Sequence, residues 1–418
     1  RGMFSFVIYD KKNKEIIGAR DHFGIKPFYY YYKGNEFMFG SEIKSFLVHP
    51  EFQKELNTDA LKMYLIFQYS VKEETFFKNV FKLKPGHFFH YKDGKLKIDS
   101  YFEVSFNKKD EPYEKLYNDL EKVLESSIYY HQTTSDVEVG AYLSGGVDSS
   151  YVVSVGKPEK TFSVGFSYEG FDETDYAQDL SKLLGIQNTR KKISAEDFFE
   201  ALPKVEWHTD EPHANLSTVP LYFLSDLTSK QVKVALAGEG SDEMFGGYNE
   251  YNDPLLLRIY IHFPLVFRKG IRNICKHLPH FPGRNTLIKY GLPFNERYIG
   301  HGTYMESEEA NKILADKLKN NETIADILEP VYKKVKNEDE LTKKMFIDFY
   351  FWLPQDILLK ADKMSMSHSI ELRTPLMDID VFKFARTIPN KYLLKNKQTK
   401  YLFRDVASKK IPEEWSKR

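Results

Sequence analysis

Val137-Glu138-Val139-Gly140-Ala141-Tyr142-Leu143 runs directly into Ser144-Gly145-Gly146-Val147-Asp148-Ser149-Ser150. An apolar run that breaks into paired glycines and small hydroxyl residues reads as a buried strand, a tight loop and the start of a helix. That order makes a phosphate cradle on physical grounds. The glycines let backbone N–H groups turn inward, the serines add donors, and the helix N-terminus supplies positive dipole. Asp148 is the odd member, because a carboxylate repels phosphate; it makes sense if Mg²⁺ lies between the two. The loop lacks the Lys-Ser/Thr ending of a Walker A motif. A tight turn of small residues would have the same composition, so the loop alone does not settle its role.

A second stretch strengthens the case. Ala237-Gly238-Glu239-Gly240-Ser241-Asp242-Glu243-Met244-Phe245-Gly246-Gly247-Tyr248 also follows a strand-like run, Val232 to Ala237. Its composition would suit an acidic helix cap as well. With two such loops at the ends of neighbouring strands, Asp242 becomes a candidate second metal ligand, and Glu239 faces whatever is activated. Thr161 to Phe166 supplies another strand, and Thr174 to Leu184 and Pro220 to Thr228 read as helices. Strands alternating with helices predict a doubly wound parallel sheet whose ligands sit at the carboxyl ends of the strands. From about Pro254 onward the pattern is largely helical.

The front of the chain differs. Phe4 to Tyr9 and Glu15 to Arg20 read as a hairpin around the polar turn Asp10 to Lys14, and Phe28 to Tyr32 with Glu36 to Gly40 as another. A helix is expected at Thr58 to Phe67 with Thr58 as N-cap, and a further β unit from Lys84 turns at Lys92-Asp93-Gly94. Asn107 to Pro112 is a polar linker, so 1–106 and 113–418 are the expected domains. Tyr113 to Tyr130 then has apolar residues at helical spacing.

Basic and acidic residues balance at 60 each, which leaves no global field for nucleic acid or a membrane. No apolar stretch reaches the roughly 18 residues of a membrane span. Cys275 is the sole cysteine, so no intramolecular disulfide can form and a cytoplasmic setting is expected. It sits near His277 and His280, but a core or surface thiol is the simpler reading than a metal site. The cluster Arg190-Lys191-Lys192 reads as a solvated turn.

Taken together, the two loops and Phe162-Ser163-Val164-Gly165-Phe166 resemble the synthetase domain of glutamine-dependent asparagine synthetases. Asp362-Lys363-Met364-Ser365-Met366 and Glu371-Leu372-Arg373-Thr374-Pro375-Leu376-Met377-Asp378 are similar to that domain's later signature. Arg1 to Phe6, Ala19-Arg20-Asp21-His22-Phe23-Gly24-Ile25-Lys26-Pro27 and Ser41-Glu42-Ile43-Lys44 are similar to the second half of the family's glutaminase domain. The resemblance implies an α/β fold: part of an N-terminal nucleophile-type glutaminase β sandwich, then an ATP-pyrophosphatase-type synthetase domain. It also implies a fragment lacking the N-terminal nucleophile segment and the C-terminal end.

The roles implied by the resemblance follow its motifs. Leu143, Ser144 and Val164 would touch ATP, and Gly145, Gly146, Asp148 and Ser149 would hold pyrophosphate. Gly238 and Glu239 match the adenylate-binding turn, Glu239 serving formation of β-aspartyl-AMP. Asp148 and Asp242 would share Mg²⁺. Lys400 matches a lysine that neutralises charge on the phosphates and intermediate. The substrates implied are ATP, aspartate, and glutamine or ammonia; no nucleic acid or membrane partner is expected, and a homodimer is allowed. Ala237 stands where many members carry Ser. Glu371, Arg373 and Asp378 fit a structural ion-pair network equally well, Asp378 above all.

Three other readings remain. A related synthetase could amidate a cell-wall, polysaccharide or peptide carboxylate, and nothing in the spacing separates acceptors. A tRNA-modifying enzyme with the same loop is opposed by the zero net charge and the lack of cysteine pairs. A non-catalytic nucleotide binder would have little use for Asp148, Glu239 and Asp242.

Overall fold

Asp10 closes the first turn by accepting backbone N–H groups of Lys12 and Asn13, which pins β1 (Ser5–Asp10) against β2 (Glu15–Arg20). The computed structural model describes residues 1–168, 172–298, 300–301 and 304–418. β3 (Tyr29–Lys33), β4 (Glu36–Gly40), β5 (Val80–Lys82), β6 (His87–Lys92) and β7 (Lys95–Ser100) complete two antiparallel sheets, ordered β1-β2-β6-β7 and β4-β3-β5. They pack face to face through Phe28, Leu83 and Phe89, with Val7, Tyr30 and Phe37 alongside. The tyrosine run obeys the period of a strand: Tyr30 points into this layer, while Tyr29 and Tyr31 pack with Ile43, Phe46 and Val80. Gly18 is required between the sheets, because a Cβ there would lie 2.4 Å from the Phe89 ring.

The motif Ala19 to Pro27 is a locked turn. Arg20 donates to the carbonyls of Lys26, Leu83 and Gly24, and Asp21 accepts the N–H groups of Phe23, Ile25 and Lys26. α1 (Asp59–Phe67) forms where expected, but Thr58 does not cap it. Thr58 has helical dihedrals and makes no side-chain cap; Asn57 Oδ1 takes the Asp59 N–H instead.

Beyond the linker, α2 (Tyr113–Thr133) leads to β8 (Val139–Tyr142), α3 (Val147–Gly156), β9 (Lys160–Phe166), α4 (Thr174–Leu184) and β10 (Gln187–Ile193). Then come α5 (Ala195–Thr209), α6 (Thr218–Ser229), β11 (Val234–Leu236), α7 (Ser241–Phe245), α8 (Leu255–Tyr260) and α9 (Leu265–His277). The rest is helical except for β12 (Glu371–Arg373). The five strands pair in parallel in the order β10-β9-β8-β11-β12. Alternation again sets the faces: Val139, Ala141 and Leu143 join the core containing α2 and α3. Tyr142, Phe162 and Ala235 pack with Leu221 and Leu224 of α6 and Ala361.

Sequence reading missed three strands, β5, β10 and β12. Arg190, Lys191 and Lys192 form part of β10, an edge strand and not a turn. Arg190 pairs with Asp175 at 2.6 Å and Lys192 with Asp172 at 2.6 Å, while Lys191 lies over the Phe223 ring. Cations on an edge strand hinder pairing with another chain, so a charged run and a strand are compatible here. β5 and β12 escaped because each has only three residues.

Candidate active site

The order of the sheet places β9 and β10 on one side of β8 and β11 and β12 on the other. Connections leave β8 and β11 in opposite directions, and the crevice between their carboxyl ends is where such sheets bind ligands. Both loops singled out from the sequence end there.

The first loop holds itself open by its serines. The Ser144 N–H donates to Ser149 Oγ at 3.2 Å, the two hydroxyls lie 3.0 Å apart, and the Gly146 N–H donates to Ser144 Oγ. Gly145 has φ +79°, a left-handed conformation that disfavours side chains. Leu143 is buried, its carbonyl accepting Ser163 Oγ at 2.7 Å, and Val164 is half-buried at the end of β9. The second loop presses directly on the first. A Cβ on Gly238 would lie 2.8 Å from the Ser149 nitrogen and 3.0 Å from Asp148 Cβ. The Ala237 N–H is occupied by the Arg373 carbonyl.

Lys400 closes the group. It adopts a left-handed conformation (φ +52°) just before the helix Tyr401–Ala407, a local strain typical of functional positions. Its Nζ lies 2.6 Å from Asp148 Oδ2 and 2.8 Å from Asp242 Oδ1. Burial alone would lower the lysine's pKa, but the two carboxylates outweigh it and hold the ammonium charged. Burial raises the Asp148 pKa and Asp242 adds to that, with Lys400 opposing. Gly247 permits the arrangement: a Cβ there would fall 1.9 Å from Asp242 Oδ1.

Every sequence-derived site residue thus lies at the ends of β8, β9 and β11 or reaches them from Lys400. The residues also fit Mg²⁺ in one respect, since Asp148 Oδ1 is buried without a hydrogen-bond partner. Among the described residues no group of three or more His, Cys, Asp or Glu converges as a cage. A Mg²⁺ held by Asp148 and Asp242 would therefore take its remaining ligands from phosphate and water, as that ion commonly does.

Glu239, named from the sequence, meets groups that were not legible there. Glu239 is half-buried; burial raises its pKa, Lys360 counteracts this, and Asp242 and Asp148 add to it. Lys360 belongs to a cluster assembled by a π-helical turn over Leu353–Ile357, a distortion common at functional sites. Asp356 in that turn pairs with His213 at 3.0 Å and Lys360 at 3.4 Å and accepts from Asn215 at 2.7 Å. The only hint in the sequence was the helical i,i+4 pair Asp356 and Lys360. Glu243 is buried, its pKa pushed up to about 8 by burial and by Asp242.

Other motif residues are structural. Asp378 caps a helix through the Asp380 N–H and contacts Arg1 and His131, while Arg373 bonds Glu371 and the His131 carbonyl. Cys275 is a buried thiol on α9.

Fold and loops define an α/β domain built on a parallel sheet, carried behind an antiparallel β sandwich. Residues 119–418 match the Asparagine synthase family model and residues 1–102 the Glutamine amidotransferase domain model. The chain belongs to the asparagine synthase family. It is 39% identical over 419 residues to glutamine-hydrolysing asparagine synthetase 1 of Bacillus subtilis (strain 168), covering 99% of this chain and 66% of that one. It is 35% identical over 428 residues to a putative glutamine-hydrolysing asparagine synthetase of Mycobacterium tuberculosis, covering 99% and 65%. The chain spans about two thirds of the length of these curated relatives.

Proposed function

We propose that the protein amidates aspartate to asparagine with ATP and nitrogen from glutamine or ammonia, in the cytoplasm, and that this chain carries the adenylating centre. The observation that carries this reading is the Lys400 ammonium bridging Asp148 and Asp242 beside the Ser-Gly-Gly loop. A loop of N–H and hydroxyl donors, two carboxylates and a buried cation suit transfer of an adenylyl group.

The acceptor's carboxylate oxygen attacks the α-phosphorus of ATP and the bond to pyrophosphate breaks. Gly145, Gly146 and Ser149 receive the departing charge, which Lys400 also balances. Bound Mg²⁺, held by Asp148 and Asp242, would supply further charge neutralisation. Ammonia then attacks the acyl carbon, AMP leaves and a proton is lost. Glu239, on the turn that follows β11, would act beside that centre, the Lys360 charge opposing the rise that burial imposes on its pKa. Enclosure matters, because water competes with ammonia for the activated acid.

The test incubates the chain with ATP, Mg²⁺, ammonium and a panel of carboxylic acids while following pyrophosphate, AMP and amide. Aspartate-dependent asparagine formation supports the reading. Pyrophosphate release that ignores aspartate and responds to another acid overturns the choice of acceptor but not the adenylating centre.

A further inference from the structure

Asp356 and Lys360 stand four residues apart, a spacing that lets an acid and a lysine meet on one helical face. They meet poorly, with Lys360 Nζ 3.4 Å from Asp356 Oδ2. Asp356 is committed elsewhere, to His213 at 3.0 Å and to Asn215, which donates to it at 2.7 Å. Lys360 is 8% exposed and has no other hydrogen bond among the described residues. An ammonium carries three donors, so most of them are unspent, and a buried charge left that way is costly. Lys62, Lys344, Lys363 and Lys400 are as deeply buried, and each meets two partners. Lys360 lacks the second.

The fold places this cation beside the two loops. The helix Leu358–Met366, with Lys360 in its first turn, folds back over residues 367–370 into β12, the Ile370 N–H meeting the Ser365 carbonyl. In the same way α6 folds back over residues 230–233 into β11. Each helix therefore runs against the strand it precedes, and its first turn lies toward the carboxyl ends of the parallel strands. Asn215, just ahead of α6, joins the two first turns through its bond to Asp356. Ala361, the neighbour of Lys360, packs with Tyr142 and Ala237, which lead into the Ser-Gly-Gly loop and the acidic loop. In the acidic loop the Glu239 carboxylate has no hydrogen bond or ion pair among the described residues. Lys360 is the charge that acts on it most strongly.

We propose that Lys360 binds the α-carboxylate of the acceptor and thereby restricts the reaction to acceptors that carry a second acid beside the reacting one. The inference rests on the proposed adenylation of aspartate. The reacting β-carboxylate goes to the α-phosphorus, next to the Ser-Gly-Gly loop and Lys400. The α-carboxylate stays behind as a charge withdrawn from water, which is stable only against a hydrogen-bonded cation. Lys360 supplies that cation, since its free N–H groups can donate to a carboxylate oxygen. Asp356, fixed by His213 and Asn215, is the positioning residue that aims it. A polymer carboxyl with no second anion nearby would leave Lys360 unmet.

Pyrophosphate release with aspartate and with β-alanine, which is aspartate without its α-carboxylate, tests the assignment in the wild type and in Lys360→Met. The wild type should prefer aspartate, and Lys360→Met should lower kcat/KM for aspartate on the order of 10²-fold. The loss should fall on the aspartate KM, with the KM for ATP and the rate with β-alanine changed no more than about twofold. Lys360→Arg should recover part of the aspartate KM. Equal losses for both acceptors, or a loss confined to kcat, overturn the inference and move Lys360 to the phosphates or to the fold. Where Lys360→Met does not fold, Lys360→Arg carries the test, and an unchanged preference for aspartate over β-alanine overturns it. Wild-type release that ignores aspartate overturns the proposed function as well, whereas aspartate-dependent release untouched by either variant overturns this inference alone.

Discussion

The Nζ of Lys400 lies 2.6 Å from Oδ2 of Asp148, across 252 residues of chain. It joins the loop after the central strand to the last part of the helical region. Replacing the lysine with methionine should remove the cation that balances departing pyrophosphate, while methionine keeps much of the packing volume. Pyrophosphate release is expected to fall on the order of 10²- to 10³-fold. A near wild-type rate would exclude Lys400 from the reaction centre.

Asp148→Asn separates the metal reading from a purely structural one. If Asp148 holds Mg²⁺, the variant should need several-fold more Mg²⁺ for half-maximal pyrophosphate release, as well as running slower. A lower rate with an unaltered Mg²⁺ titration would reduce Asp148 to a partner of Lys400.

Gly247→Ala tests how tightly the two acids and the lysine are packed. The added Cβ would lie 1.9 Å from Asp242 Oδ1 and 2.1 Å from Lys400 Cε. Overpacking of this kind costs about 1–3 kcal/mol, and pyrophosphate release should drop at least about tenfold if either group is displaced. Chemical denaturation and the pyrophosphate assay read the two effects separately.

Asp210 ties the antiparallel half to the parallel one. It accepts the N–H groups of Ile43 and Lys44 and pairs with Lys363 at 2.6 Å and Lys44 at 3.0 Å. Burial works against its charge, but Lys363 and Lys44 prevail and lower its pKa below 3.8. Its stabilisation is therefore complete above that value and fades as pH falls through the lower folded-state pKa. Asp210→Asn should cost about 3–5 kcal/mol near neutral pH, and the gap from wild type should narrow at acid pH. Urea melts across pH 3 to 7, roughly the titration range of a carboxyl and above, would show it; a constant gap counts against the ion pairs.

Glu243 runs the other way. The unfolded chain releases this proton near 4.5, whereas the folded protein keeps it until about 8. Between those values the folded state holds the extra proton, so this group makes stability fall as pH rises. Glu243→Gln should flatten that slope by on the order of a few kcal/mol. Parallel melting profiles for the two proteins would remove Glu243 as its source.

Much of the fold was legible because the signals were local. Alternation marked the hairpins, the Ser-Gly-Gly loop marked a strand-to-helix turn, and apolar spacing marked α2. The edge strand β10 was hidden because its three cations look like a turn in isolation; only pairing with β9 and partners such as Asp172 make it a strand. The cap of α1 failed for a similar reason, since Asn57 and Thr58 are both plausible caps and the backbone conformation selects between them. The cluster of His213, Asn215, Asp356 and Lys360 draws on two distant segments, so the i,i+4 spacing of Asp356 and Lys360 could announce only half of it.

The sequence by itself determined the strand-loop-helix units, the glycines that let the two loops touch, and the inventory of acids and cations. Those properties depend on backbone conformation and on neighbours a few residues away. Tertiary structure alone decided that Lys400 stands between Asp148 and Asp242, and that Asp356 brings His213 and Asn215 to Lys360. Both depend on which distant carbonyls and carboxylates reach a charged group, because a buried cation is stable only where such partners converge.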